Sequence, residues 1–317
     1  MREPRFEQID TTEKNVDLIL AREKEKRPNP KDFEDVFGPE EIERDDKLLN
    51  AVKRNIERDL DHLNPEDQET LRKGKKRSEA LEIVITEGIS EQRWFGRKAR
   101  ITRTGEFDDV INGVDGVLEF DLGTEEKPER IALAIDASMR SDYFLASKKM
   151  LRNIRSVLGV NKHRPTKVKY FKSKVNNHKG PLEAVIPVVI GLEGQNCNGL
   201  FDLMGQVIKL ENQKERNEIQ DKILNEKKKE VAKHPAQRIF IEEIKAQLVF
   251  YKELITEQGS GQIDLSGLER LITIFNSIDE IKREIETGNL AEDAVFKEII
   301  NIKNTFTPFN LDKDLTI

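Results

Sequence analysis

The stretch EAVIPVVIGL, residues 183–192, limits the fold of this chain more than any other segment. A strand with almost no polar residue is typical of a sheet that is buried on both faces. Pro187 lies within the stretch, and proline has no backbone N–H to donate to a neighbouring strand. The stretch therefore predicts a strand of an α/β protein, with a sheet edge or a bulge at Pro187.

Apolar periodicity predicts the elements around this strand. A core helix is expected over residues 76–95, and strands are expected at ARITRT, VDGVLEFDL, RIALAIDAS and TKVKYFKS. An amphipathic helix over residues 141–158 separates the last two of these strands. This order predicts an α/β core. The chain beyond about residue 199 reads as helical, with helices expected at 199–230, 235–257, 265–286 and 291–303.

The same patterns divide the chain into three regions. Residues 1–75 predict a helical N-terminal extension, in which Asn64 and Pro65 mark the start of a helix. Residues 76–195 predict the α/β core. Residues 196–317 predict a C-terminal helical region, whose charged helices are candidates for binding a protein partner or a second copy of the chain.

The composition indicates a polar protein with one core: 36% of the 317 residues are charged, 36% are hydrophobic, and the net charge is −6. No apolar run approaches the ~18 residues of a membrane span, so no membrane association is expected. The first twenty residues lack an apolar signal segment. The single cysteine, Cys197, excludes an internal disulfide and a cysteine-built zinc site. A reducing, cytoplasmic setting is therefore expected.

Charge is distributed unevenly along the chain. Residues 106–136 contain ten acidic residues and two basic ones, whereas residues 140–180 contain twelve Lys or Arg and a single acid, Asp142. Lys and Arg contacts to phosphates give affinity for nucleic acid without reading its sequence. The basic segment is therefore predicted to hold a nucleic-acid backbone, through Lys149, Arg152, Arg155, Lys167, Lys169, Lys172 and Lys174.

Two aspartates are predicted to meet at the open end of a hairpin. The strands GVDGVLEF and RIALAIDAS pair most simply around the turn TEEK, and this register places Asp115 opposite Asp136. Opposite residues have Cβ atoms about 4.5–5.5 Å apart, so two carboxylates there repel each other unless a cation lies between them. Mg²⁺ is held by one or two carboxylates in many sites. In the alternative, a register shifted by one residue, the two acids lie on opposite faces and never meet.

Other acids lie close to this pair in the chain. Asp108 and Asp109 directly precede the hairpin, and the core helix offers Glu82, Glu87 and Glu91. Asp109 is predicted to join Asp115 and Asp136 as a metal ligand. The loop GLEGQNCNG matches no phosphate-binding motif. The histidines show no ligand-like spacing: His62, His163, His178 and His234.

The order of elements resembles the PD-(D/E)xK nuclease-like superfamily. A helix with a glutamate is followed by three strands, the second and third of which carry an aspartate, and then by a helix and a strand. The segments WFG, FDDVINGVDGVLEF, IALAIDAS, KVKYFKS and VIPVVIGL are similar to a group of uncharacterised bacterial proteins with that core. The resemblance covers roughly residues 76–195.

This resemblance implies a restriction-endonuclease-like mixed β-sheet core flanked by helices. Asp115 matches the first metal-binding aspartate and Asp136 the acid of the (D/E)xK motif, while Glu87 or Glu91 matches the helix acid. Ser138 stands where the lysine of the motif belongs. In some members that lysine lies on the following helix, and there Lys148 is preferred to Lys149 because it precedes the apolar stripe by one turn.

Two functions follow from these expectations. The first is metal-dependent hydrolysis of phosphodiester bonds in nucleic acid, with Mg²⁺ or Mn²⁺ as the cofactor and DNA preferred to RNA as the substrate. The second is an inactive nuclease-fold protein that serves as a scaffold for nucleic acid or protein. The missing lysine favours the second, whereas an acidic segment followed by a basic one favours the first. A purely structural helical adaptor is a third, weaker alternative.

Overall fold

The computed structural model describes residues 4–22, 27–123, 130–140, 145–160, 164–259, 262–286 and 292–306. The turn TEEK, the first residues of the helix expected at 141–158, His163 and residue 291 lie outside these ranges. The fold is mixed α/β, with a mixed sheet flanked by helices. Among the described helices, none combines the length and the apolar character needed to cross a membrane.

The N-terminal region is helical, as its sequence predicts. Helix α1 spans Pro4–Ala21, the short helix α2 spans Glu34–Phe37 after a 3-10 turn, and α3 spans Pro39–Asp61. Helix α4 spans Pro65–Ser90 and begins at the predicted cap, where the Asn64 side chain accepts a hydrogen bond from Asp67 N. It is a single helix where the sequence suggested two, because its charged first half is exposed and only the half beyond Ala80 has the apolar stripe of a core helix.

Four strands form the main sheet. They are β1 (Ala99–Arg103), β2 (Gly116–Asp121), β3 (Arg130–Arg140) and β6 (Ile186–Glu193), and they lie in the order β1-β2-β3-β6. The pairs β1–β2 and β2–β3 are antiparallel, whereas β3 and β6 are parallel. Helix α5 (Leu145–Leu158) lies between β3 and β6 in the chain and packs on both. Parallel neighbours need such a crossover connection.

The register of the β2–β3 hairpin confirms the prediction. Val117 pairs with Ala134 and Glu119 pairs with Ala132. The pairing agrees with the alternation of side chains along each strand, because it places the apolar residues of both strands on the same two faces, which a slip of one residue would not do. Leu118 and Leu133 face the main core, while Val117 and Ala134 belong to a smaller cluster on the other face.

A second sheet lies on that other face. Strands β4 (Val168–Lys172) and β5 (Lys179–Leu182) form an antiparallel pair of their own. Two buried carboxylates attach β4 to the main sheet through its backbone. Asp108 accepts hydrogen bonds from Lys169 N at 2.7 Å and Tyr170 N at 2.9 Å, and Glu119 accepts one from Lys174 N at 3.1 Å. Asp108 lies near the predicted metal ligands in the sequence, but its carboxylate bonds the backbone of β4.

Strand β6 is an edge strand that is nonetheless buried, so both readings of its sequence are confirmed. Its residues from Ile186 to Leu192 are all buried, yet β3 is its one partner among the strands that the structure describes. Polar side chains satisfy the outer backbone groups of the strand. The side chain of Gln247 bonds both N and O of Val189, at 2.9 and 2.6 Å, and Glu243 accepts from Gly191 N at 2.9 Å. A covered edge cannot pair with another chain.

The C-terminal region consists of α6 (Gly194–Glu211), α7 (Glu218–Ala232), α8 (Ala236–Gln258), α9 (Leu265–Ile281) and α10 (Ala294–Thr305). The helix expected over 199–230 is therefore two helices, with a break at 212–217. One hydrophobic cluster runs through all three predicted regions, since it contains Val16 of α1, Val188 of β6 and Phe240 of α8. The helices at both ends of the chain thus support the sheet.

Candidate active site

Asp115 and Asp136 lie at the open end of the hairpin. The β2–β3 register ends at the pair Gly116–Ile135, and one further residue places Asp115 opposite Asp136. Asp115 N donates to Ile135 O at 2.9 Å, and the Asp115 carboxylate accepts from Ala137 N at 2.7 Å. The aspartate side chain therefore caps the end of the ladder where β2 stops and β3 continues.

Two cations from α5 hold the buried carboxylate of Asp136. Lys149 Nζ lies 2.5 Å from Oδ1, and Arg152 Nη2 lies 2.5 Å from Oδ2. Each cation also bonds a backbone carbonyl, Lys149 that of Ala137 at 2.6 Å and Arg152 that of Gly113 at 3.0 Å. Gly113 has a φ of +64°, and a Cβ built on it would lie 2.0 Å from Arg152 Nη1. Only glycine gives both this backbone conformation and the space for the arginine.

A third carboxylate comes from the middle of α4. Glu82 Oε2 accepts from Arg103 at 2.8 Å and from Arg27 at 3.0 Å. Arg27 also donates to Asp109 at 2.9 Å. Asp109 lies in a π-helical turn at Asp108–Asn112. Arg27 thus joins the N-terminal region to the acids of the core helix and of the loop before β2.

The pKa values show that these groups act on one another. Burial, followed by the charges of Glu82 and Asp136, raises the pKa of Asp115 well above its usual range, and Lys149 opposes the shift. Burial lowers the pKa of Lys149, but Asp136 and Asp115 outweigh it, so that the pKa is raised. Lys149 therefore stays charged, whereas Asp115 favours its protonated form unless another cation is present.

Asp115 borders a cleft with a volume of about 840 Å³, whereas the buried Asp136 is not among the residues that line it. Asp115, Ser138 and Lys149 line one side, and the segment Arg27–Lys31 lines another. This segment crosses close to the loop before the π-helical turn, since a Cβ on Gly105 would lie 2.3 Å from the carbonyl oxygen of Pro28. The cleft is also lined by further acids: Asp46, Glu79, Glu82, Glu106 and Asp109.

The hairpin carries oxygen donors of the kind that a magnesium-type ion binds. Within the ranges that the structure covers, no three His, Cys, Asp or Glu side chains are grouped to hold a metal. Mg²⁺, however, commonly uses only one or two carboxylates together with water. The carboxylates of Asp115 and Asp136 and the carbonyl of Ala137 are such hard donors, and the ammonium of Lys149 already bonds two of the three.

The structure brings Glu82 of the core helix to this site and places Glu87 and Glu91, the predicted acids, elsewhere. Glu87 lies 3.2 Å and Glu91 lies 4.0 Å from Arg22, which also pairs with Glu211 of α6. Five residues of helix turn the side chain by about 140° relative to Glu82, at 100° per residue. Glu87 and Glu91 therefore serve an ion-pair cluster between helices.

The structure likewise brings Lys149, and not the preferred Lys148, to Asp136. Lys148 is exposed, whereas Lys149 contacts Asp136. The preference for Lys148 rested on its position relative to the apolar stripe, but neighbouring residues of a helix point about 100° apart. Ser138 is buried, lines the cleft and pairs with Gly191 of β6. The cation of the site thus comes from the helix after β3.

The predicted nucleic-acid contacts fall into several environments. Lys149 and Arg152 neutralise Asp136, and Lys167 pairs with Glu183 at 2.5 Å. Lys169 is buried between Glu41 and Asp45, at 2.5 Å from each. The remaining residues differ as well: Arg155 is half-buried, Lys172 is exposed, and Lys174 is exposed but bonds Ile101 O through Nζ. Much of the positive charge of residues 140–180 thus balances acids of the protein itself.

Sequence reasoning missed two cations of the site, Arg27 and Arg103. Arg27 lies 55 residues from Glu82 in the chain, in a segment without periodicity, so no local pattern indicates it. Arg103 ends β1 and alternates inward, which strand periodicity could have shown.

Comparison of the chain with protein-family models, with curated proteins and with solved structures finds no match in any of the three. The geometry described above is therefore the basis for assigning a function.

Proposed function

We propose that the protein is a metal-dependent nuclease that hydrolyses phosphodiester bonds, built on a restriction-endonuclease-like core of the PD-(D/E)xK type. The observation that carries the proposal is the position of Lys149, whose ammonium bonds both Asp136 and the carbonyl of Ala137 beside Asp115. With Glu82 on the preceding helix, these residues supply the acids and the lysine of that superfamily's site. Lys149 of α5 takes the place of the motif lysine, whose position in the sequence is occupied by Ser138.

Each residue has a distinct task in this proposal. Asp115 and Asp136 hold Mg²⁺ or Mn²⁺, which when bound would polarise a phosphate and lower the pKa of a water molecule. Lys149 stays charged and orients the attacking water or stabilises the charge on the phosphate. Arg152 fixes the carboxylate of Asp136 through Oδ2. Glu82 adds negative charge at the cation and is positioned by Arg103.

DNA is the proposed substrate in preference to RNA, and the cytoplasm is the proposed location. The test is incubation of the protein with single-stranded DNA, double-stranded DNA and RNA, in Mg²⁺, in Mn²⁺ and in chelator. We expect cleavage that requires the metal, is lost in Asp136→Asn and is kept in Asp121→Asn. Asp121 is a matched control because it is an exposed aspartate at the far end of β2.

The cleavage assay is paired with thermal melting. Binding of a cation to the folded state raises the melting temperature, and this rise is expected in the wild type but not in Asp136→Asn. Absence of cleavage on every substrate, together with no metal-dependent rise in melting temperature, would overturn the enzyme proposal.

One observation favours the second candidate, a nuclease-fold scaffold without catalysis. The carboxylates of Glu82, Asp109 and Asp136 already have cationic partners in the protein. A site balanced in this way is stable without a metal ion. Under this candidate the protein binds nucleic acid in chelator and cleaves none with metal.

A further inference from the structure

A second cleft is lined by Arg152, the arginine that pairs with Asp136. Its volume is about 420 Å³, and it is separate from the cleft that contains Asp115. Three cationic side chains line it, those of Arg152, Arg164 and Lys167, and Glu183 is the one acid among its lining residues. We refer to it as the basic cleft.

Arg152 connects the basic cleft with the candidate active site. Both of its described hydrogen bonds, to Asp136 and to Gly113 O, use Nη2. Its side chain is 41% exposed, so the other nitrogens of the guanidinium are accessible to a ligand. A group bound in the basic cleft therefore lies one arginine side chain away from Asp136.

Hydrogen bonds fix the floor of the basic cleft. Ser156 lies one helical turn after Arg152 on α5, and its hydroxyl donates to Arg164 O at 3.1 Å. The same hydroxyl lies 2.9 Å from Thr166 Oγ1. These contacts hold the segment Arg164–Lys167 against α5, so that Arg164 and Lys167 line the same cleft as Arg152. Because the segment is already held in place, binding of a ligand costs little backbone entropy.

The charge of the basic cleft selects an anion. Lys167 and Glu183 form an ion pair with 40% and 63% exposed side chains, so water screens it and it contributes little. Arg164 and the screened Lys167 therefore supply charge for a ligand, whereas Arg152 is already paired with Asp136. Arginine presents a planar fork of donors that matches a phosphate better than the ammonium of lysine does. The side-chain amides of Asn112 and Asn153 also line the cleft.

We propose that the basic cleft binds a backbone phosphate of a single nucleic-acid strand, next to the phosphate that lies at Asp136. The identity of the ligand as nucleic acid rests on the function proposed above. The cleft that contains Asp115 then holds the bond to be cut, while the basic cleft sets the register of the strand. Arg152 contacts both sites.

The test uses the double variant Arg164→Ala/Lys167→Ala of the full chain. Its matched control is Lys47→Ala/Lys73→Ala, which removes two exposed lysines of α3 and α4 that do not line the basic cleft. Binding of a labelled single-stranded oligonucleotide is measured in chelator by fluorescence anisotropy, from about 50 to about 200 mM salt. Because each phosphate contact contributes about 0.7 to the salt slope, loss of the one phosphate in the basic cleft should lower the slope by about 0.7 in the test variant and leave it unchanged in the control.

Glu183→Gln is the complementary variant. It removes the one acid of the lining and should tighten binding several-fold, an effect that misfolding cannot produce. Three results would overturn the proposal: an equal fall of the salt slope in the test variant and the control, no binding of the oligonucleotide by the wild type, or no gain of affinity in Glu183→Gln.

The two proposals fail in different ways. If the wild type binds the oligonucleotide, the test variant shows the expected fall of the salt slope and no substrate is cleaved, only the nuclease proposal is overturned. Metal-dependent cleavage with unchanged binding in the test variant overturns the basic cleft alone.

Discussion

Neighbouring lysines on α5 have different surroundings. Lys149 bonds Asp136 and the carbonyl of Ala137, whereas Lys148 is exposed. The two positions differ by about 100° around the helix axis, which is the difference between facing the sheet and facing water. This pair of lysines therefore offers a matched comparison of the same side chain inside and outside the candidate active site.

Lys149→Met should abolish most of the cleavage. The change keeps the length of the side chain but removes the charge that stabilises the transition state, and loss of one such group costs about 10²–10³ in rate. Lys148→Met should cleave at nearly the wild-type rate. The measurement is the single-turnover rate of both variants on the substrate found above, and equal rates would assign no role to Lys149.

Asp115→Asn should change how stability depends on pH. The pKa of Asp115 is raised in the folded protein by burial, Glu82 and Asp136. Its contribution to stability is therefore complete below the unfolded pKa of about 3.9 and is lost as the pH rises through the folded pKa. The asparagine variant does not titrate and can still accept from Ala137 N.

The variant should accordingly gain stability relative to the wild type as the pH rises, by a few degrees in melting temperature. Melting curves in chelator from about pH 4 to about pH 8 measure this difference. If the melting temperatures of the two proteins differ by the same amount at every pH, the pKa of Asp115 is not raised by burial in the folded protein. Addition of Mn²⁺ should stabilise the wild type and leave the variant unchanged.

The element that best shows how side chains complete a sheet is β6. It is parallel to β3 on one side, while α8 supplies Gln247 and Glu243 to its other side. Pro187 lies at an outward position in the alternation, where its missing N–H removes no bond to β3. Burial of an edge strand thus depends on a few polar side chains with defined geometry.

Gln247→Leu should destabilise the protein by about 2–4 kcal/mol, because it leaves both N–H and C=O of Val189 buried without a partner. Gln206→Leu, an exposed glutamine within α6, should change stability by less than about 0.5 kcal/mol. Urea unfolding of the two variants measures the difference. A cost as small as that of the control would mean that water replaces the amide at the edge.

Elements with a strict repeat could be predicted from the sequence, and others could not. The register that places Asp115 opposite Asp136 follows from a period of two about a short turn. Strand β5, with its sequence KGPL, escaped prediction because glycine and proline are poor strand formers. The sequence did not indicate which side of a helix faces the site. Glu82 and Glu87, like Lys149 and Lys148, differ only by rotation around the helix axis.

At the scale of the whole molecule, the site is assembled from all parts of the α/β core and from the N-terminal region. Its four cations come from three separate segments, which are Arg27–Lys31, β1 and α5, so no single stretch of sequence carries the site. The acids are Glu82, Asp109, Asp115 and Asp136, and the cations are Arg27, Arg103, Lys149 and Arg152. Such a balance keeps carboxylates buried near one another without a bound metal.

Arg27 is the member of this balance that comes from the N-terminal region. It bonds Glu82 and Asp109 across the cleft and is 23% exposed. Arg27→Ala should therefore destabilise the protein by about 2 kcal/mol near neutral pH, less than the full cost of breaking a buried pair. Arg44→Ala, which removes a 72% exposed arginine of α3, should cost less than about 0.5 kcal/mol.

The cost of Arg27→Ala should also depend on pH with a defined sign. Arg27 lowers the pKa of Glu82 against the larger effect of burial, so its removal raises that pKa further. When Glu82 is protonated in both the folded and the unfolded chain, below about pH 4, the lost attraction has no effect. The destabilisation should grow as the pH rises and reach its full value above the folded pKa. Chemical unfolding at about pH 4 and about pH 8 measures it, and an equal cost at both would mean that Arg27 acts by packing instead of charge.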